Sequence, residues 1–119
     1  LRPHADAYFN LGNELIKLGD FNSAIYNFDK SIELAPRADT YSNRAFAKLN
    51  LGKNREALQD LDIAISLDRT YANAYYLKGM LLIQSERAVE ACVNFNEARK
   101  RGHERGKAAF EKFCMRSDS

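Results

Sequence analysis

The chain is 119 residues long, with 45% apolar and 29% charged side chains, a balance too hydrophobic for disorder and suited to a single domain. Its longest apolar run is only a few residues, so no segment spans a bilayer, and Leu1-Arg2-Pro3-His4 has nothing of a signal peptide. The expectation is a soluble, cytoplasmic protein with a net charge of +2.

From the N-terminus, Leu1-x-Pro3-x-Ala5-Asp6-x-Tyr8 is repeated as Leu34-x-Pro36-x-Ala38-Asp39-x-Tyr41. Residues 1–4 therefore read as the tail of a preceding repeat or as a linker, and the chain as part of a longer protein. The self-similarity continues along the chain: Tyr8, Tyr41 and Tyr75 are spaced by 33 and 34 residues, and so are Ala24, Ala57 and Ala91. A period of this length decides the architecture before any single residue does.

Three units follow, over 5–37, 38–71 and 72–103. In each, small and apolar residues keep helical spacing in two blocks broken by a turn, at Leu18-Gly19-Asp20, Leu51-Gly52-Lys53 and Gln84-Ser85-Glu86. Each unit is thus a helical hairpin. Glycine suits the left-handed residue that ends a helix, and Glu86 in the same geometry weakens its turn by about 1 kcal/mol. Small residues at Gly12, Ala45 and Gly79 on the first helices, and at Ala24, Ala57 and Ala91 on the second, let the paired axes approach. Phe28, Leu61 and Phe95 fill the space beside them. Beyond Gly102, the one-sided stripe Ala109, Phe110, Phe113 and Cys114 predicts a capping helix over 104–115 that covers the last hairpin. Residues 116–119 read as a disordered tail.

These residues resemble the tetratricopeptide repeat family, whose pattern is an aromatic, Leu-Gly, a second aromatic, Ala-x-x-x-Phe and a late Pro. The first unit carries Tyr8, Leu11, Gly12, Ala24, Phe28 and Pro36, and the third carries Tyr75, Gly79, Ala91, Phe95 and Ala98. The second departs most, with Arg44, Lys48, Leu61 and Arg69 at characteristic positions. The resemblance implies an all-α, right-handed solenoid of three helix-turn-helix hairpins plus a capping helix. It also implies a protein-binding scaffold whose first helices line a concave peptide-binding groove, formed here by Phe9, Asn13, Asn43, Phe46, Asn73, Tyr76, Leu77 and Met80. Amides hydrogen-bond a peptide backbone as donor and acceptor, while aromatic rings and Met adapt to an apolar ligand.

Tyr41-Ser42-Asn43-Arg44-Ala45 is similar to the second repeat of co-chaperones that clamp acidic chaperone tails with Lys and Asn, then Asn, then Lys and Arg. Asn13 and Asn43 match that set, but Phe9, Asn73 and Leu77 stand where its cations belong. Neutral amides in place of charge-assisted donors argue against tight binding of such a tail.

No catalytic constellation is visible. His4 and His103 lack metal-ligand or catalytic spacing, no glycine-rich phosphate loop occurs, and no serine has a base nearby in sequence. Neither a cofactor nor a metal is expected. Cys92 and Cys114 lie among apolar neighbours and read as packing residues of a reduced compartment, with a disulfide as the alternative. Nine basic against six acidic residues in 72–119 make the C-terminal third the basic part. Arg99, Lys100, Arg101, Arg105 and Lys107 thus suggest an alternative function, binding of nucleic acid or an acidic partner; cations that complement a helix end explain them more simply. Homotypic assembly through the N-terminal hairpin is a further alternative, and no membrane association is expected.

Overall fold

The computed structural model describes residues 4–115, which form seven helices and no strand. In chain order these are α1 (Ala5–Lys17), α2 (Phe21–Leu34), α3 (Ala38–Asn50), α4 (Asn54–Leu67), α5 (Ala72–Gln84), α6 (Ala88–Lys100) and α7 (Glu104–Cys114). Residues 1–3 of the segment 1–4 read as a preceding-repeat tail or linker, and the segment 116–119 read as a disordered tail, lie outside the described residues.

Four helix ends close with the same pair of backbone bonds, which satisfy carbonyls that a helix terminus leaves orphaned. At the first, Gly19 N–H donates to Ile16 O (2.9 Å) and Asp20 N–H to Leu15 O (2.9 Å); at the third, Glu86 N–H donates to Ile83 O (3.3 Å) and Arg87 N–H to Leu82 O (2.9 Å). The residue at the bend is left-handed each time: Gly19 (φ 78°), Gly52 (φ 77°), Glu86 (φ 61°) and Gly102 (φ 82°). Glu86 therefore keeps the geometry of its glycine counterparts.

Each hairpin closes on a small residue facing a large one. A Cβ at Gly12 would meet the Phe28 ring at 2.5 Å, and one at Gly79 would meet the Phe95 ring at the same distance. In the second hairpin Ala45 carries that Cβ, and the opposing residue is the smaller Leu61; both are fully buried. Volume is thus conserved across the pair, as close packing requires.

The second hairpin departs from the repeat pattern through a polar cluster. Arg44 donates to both oxygens of Asp60 (2.9 and 2.7 Å) and to Asp29 (2.8 Å), while Lys48 lies 3.0 Å from Asp60. The side chains of Arg44, Lys48 and Asp60 are only 18%, 12% and 3% exposed. Burial works against the Arg44 charge, but the carboxylates of Asp60 and Asp29 outweigh it and hold the guanidinium above its ordinary range. The Arg44–Asp29 pair joins α3 to the preceding hairpin, and Lys78–Asp62 (2.7 Å) repeats it one period later.

Neighbouring helices pack in sequence, and α1 also meets α3, α3 meets α5, and α5 meets α7. Among the described residues the backbones of α2, α4 and α6 stay more than 8 Å apart, Cα to Cα. The first helices therefore form the inner side of a curved solenoid and the second helices its outer side. On the far flank α7 lies against α6 so closely that a Cβ at Gly106 would meet Ala98 Cβ at 2.6 Å.

The expectation of two separate packing cysteines is corrected here. Return of α7 along α6 brings the Cα atoms of Cys92 and Cys114 to 5.7 Å, and their sulfurs are bonded as a disulfide. Spacing of 22 residues carries no sign of this, because it depends on where α7 docks.

Candidate functional site

A cavity of about 770 Å³ opens on the inner side. Seven of the residues expected in the groove line it: Asn13 from α1, Asn43 and Phe46 from α3, and Asn73, Tyr76, Leu77 and Met80 from α5. They come together because the inner helices present the same register at each repeat. Phe9 is not in that wall. Its ring tilts against Phe28 at 6.2 Å, and the Arg37 guanidinium lies 5.1 Å over it. Arg37 is itself fixed by Asp39 (3.1 and 2.7 Å) and by Asp6, so it ties α1 to α3 instead of offering a free charge.

The amides form two relays. Asn43 Nδ2 donates to Asn13 Oδ1 (2.8 Å), leaving Asn13 Nδ2 and Asn43 Oδ1 without a partner among the described residues. Asn73 Nδ2 donates to the buried Ser42 hydroxyl at 3.4 Å, and Asn73 Oδ1 lies 3.1 Å from His103 Nε2. His103 Nδ1 accepts from the Gly106 N–H at 2.9 Å, which makes Nε2 the protonated nitrogen and the donor to Asn73. The imidazole also stacks on Tyr76 at 4.7 Å. Burial, and then the charge of Arg105, hold its pKa below the ordinary histidine value. His103 thus has partners that its sequence position did not suggest, and it caps α7 while anchoring two groove residues.

Apolar area comes from Leu77, nearly fully buried, and from Met80, Tyr76 and Phe46. Phe46 remains 37% exposed and meets Phe21 edge-on at 6.4 Å. The wall also contains Lys17, Asn50 and Gln84, each four residues beyond Asn13, Phe46 and Met80 respectively. Extending the helical stripe by one turn would have found all three. Arg105 stood out in sequence only as part of the basic cluster of 99–107, and nothing in its spacing placed it in this wall, because the cavity it faces depends on where α7 docks.

Much of the basic C-terminal part is engaged internally. Arg101 donates to Arg69 O (2.8 Å), bonds Glu97 and lies 4.3 Å over the Tyr75 ring. Arg99 bonds Asn96 and lies 5.3 Å over Phe110, and Lys100 sits 3.5 Å from Glu97. His4 precedes α1 and makes no side-chain cap bond. No cluster of three potential metal ligands occurs among the described residues, and no described helix is long and apolar enough to cross a membrane.

Comparison with known proteins converges on one family. Residues 5–37 match the tetratricopeptide repeat model. Human DnaJ homolog subfamily C member 7 is 30% identical over 111 residues, which cover 92% of this chain but only 22% of that protein. The second TPR domain of human RPAP3, in complex with an HSP70 peptide, superimposes with a TM-score of 0.81 at 27% identity, covering 92% of this chain and 93% of that one. The TPR2B domain of yeast Sti1, in a pHsp70 complex, gives 0.85 at 26% identity, covering 93% and 96%. The repeat register, the curved stack of hairpins and these matches together place the chain in the tetratricopeptide repeat family.

Proposed function

We propose that this chain is a non-catalytic interaction module that holds an extended peptide or a helix of a partner protein along the inner face of α1, α3 and α5. The observation that carries the reading is the convergence, in one cavity, of open amide groups with apolar area. Asn13 Nδ2 and Asn43 Oδ1 supply a donor and an acceptor side by side, matched to a peptide backbone, and Phe46, Tyr76, Leu77 and Met80 supply the surface. The similar RPAP3 and Sti1 domains, each solved with an Hsp70 ligand, support the same general role. The reading differs from an acidic-tail clamp in its charges, since Phe9, Asn73 and Leu77 leave the inner helices of the repeats without the three clamp cations. The engagement of Arg99, Lys100 and Arg101 in internal contacts weighs against the nucleic-acid alternative.

The test is a titration of isotope-labelled protein with a peptide selected from a random library, followed by amide chemical shifts. Shifts are expected around Asn13, Asn43 and Asn73. Phe46→Glu, a change at a part-exposed site, should abolish binding without unfolding the chain. Shifts confined to the outer helices, or binding undiminished by F46E, would overturn the reading.

A further inference from the structure

The cavity wall is nearly neutral. Glu14 and Lys17 pair with each other at 3.2 Å, and apart from one residue the rest of the wall is amide or apolar. That residue is Arg105, whose guanidinium has neither an ion pair nor a hydrogen bond among the described residues. Glu104, beside it in sequence, makes no ion pair with it among those residues. Arg105 stands in the first turn of α7, where the positive end of the helix adds to its field. It is carried on a fixed element: α7 is capped by His103, packed through Gly106 and Ala109, and bonded to α6 by the Cys92–Cys114 disulfide. It also lies close enough to His103, the partner of Asn73, to lower that imidazole's pKa, second to burial.

Resting on the groove reading above, we propose that Arg105 is the charged specificity element of the groove. It takes one Asp or Glu side chain of a bound, extended peptide at the α7 end, while apolar residues of the same peptide lie over Leu77 and Met80. An acidic side chain fits this corner better than a chain terminus does. Both polar atoms of the nearby Asn73 amide already have partners, Ser42 and His103, while the open amides of Asn10 and Asn13 belong to the first hairpin and that of Gln84 to the opposite end of α5. The corner therefore offers a guanidinium and no pair of open amides to hold a terminal backbone as well. The cation comes from the capping helix, so the ligand's acid is read at one end of the array and not along the repeats.

The experiment is selection of random nonapeptides, displayed with both ends joined to a carrier, on the wild-type chain and on Arg105→Gln. Arg105 is exposed and unpaired, so the substitution leaves the fold intact. Wild-type selections should enrich peptides with one acidic residue at a fixed offset from apolar ones, and R105Q should lose that acidic preference. Fluorescence anisotropy then compares an enriched peptide, amidated at its C-terminus, with its Glu-to-Gln analogue. R105Q should weaken the acidic peptide by about tenfold, leave the analogue unchanged, and show a difference that shrinks with added salt. Enrichment without acidic preference, equal losses on both peptides, or binding only by peptides with a free C-terminus would overturn the Arg105 assignment and leave the groove reading standing. Failure of the wild-type chain to enrich any peptide would overturn both.

Discussion

Glu86 occupies a backbone position that three glycines occupy elsewhere in the chain, and the energetic consequence can be worked out. Its φ of 61° lies in the left-handed region, where a Cβ crowds the following carbonyl at a cost of about 1–2 kcal/mol. Glu86→Gly removes that cost but gives the unfolded chain more freedom, a loss of about 0.5–1 kcal/mol. The side chain is exposed and makes no hydrogen bond or ion pair among the described residues, so nothing else is lost. The net gain is about 0.5–1 kcal/mol, which for a domain of this size raises the melting temperature by about 2–4 °C. The mirror substitution is Gly52→Glu. No atom lies within 4 Å of a Cβ built there, so its cost is purely that of the backbone and should be of similar size. Thermal unfolding of both variants, followed by circular dichroism with the disulfide oxidised, tests the pair. If E86G melts at or below the wild-type temperature, the strain assigned to Glu86 is absent and the reasoning fails.

Gly12→Ala places a methyl 2.5 Å from the Phe28 ring and should cost about 1–3 kcal/mol in urea unfolding; adding Phe28→Leu, which reproduces the Ala45 and Leu61 pair of the second hairpin, should recover part of that loss, and strict additivity would argue against a shared contact. Asp60→Ala leaves Arg44 and Lys48 half-buried without their shared carboxylate and should cost about 3–5 kcal/mol, whereas replacing all three by Leu should cost far less; a mild effect of D60A alone would mean that solvent already reaches the cluster. For His103 the folded-state pKa lies below the unfolded one, so its contribution is complete above the ordinary histidine value and is lost as pH falls through and below it. Protonation also turns the Nδ1 acceptor of the Gly106 N–H into a donor, so unfolding free energy should drop between about pH 7 and pH 5 in wild type and change less in His103→Asn, and parallel pH profiles would refute the assignment.

The hairpins were legible in the sequence because close packing demands the same shapes at the same register. Gly12 with Phe28 and Gly79 with Phe95 are one contact written twice, and Ala45 with Leu61 is the same volume divided differently. Arg44 and Lys48 looked like weaknesses of the second unit because a repeat pattern judges each position alone. The carboxylate that answers them, Asp60, lies across the hairpin, 16 residues beyond Arg44. The inner wall was legible where it belongs to the repeats, through Asn13, Asn43 and Asn73, and one turn of helix beyond Phe46 and Met80 would have extended it. Phe9 was misplaced because only coordinates reveal Arg37 lying over it. The partners of His103, the place of Arg105 in the wall and the choice of a Cys92–Cys114 disulfide over separate packing cysteines escaped the spacing for a single reason: each depends on the docking of α7, which a stripe of apolar residues predicts without specifying which neighbours it reaches. Shape and hydrogen-bonding capacity in this groove therefore follow from the repeat, while its net charge follows from the helix that ends it. On the proposed reading of Arg105, a relative with the same repeats and a different cap should keep the affinity for backbone and apolar groups and lose the preference for an acid.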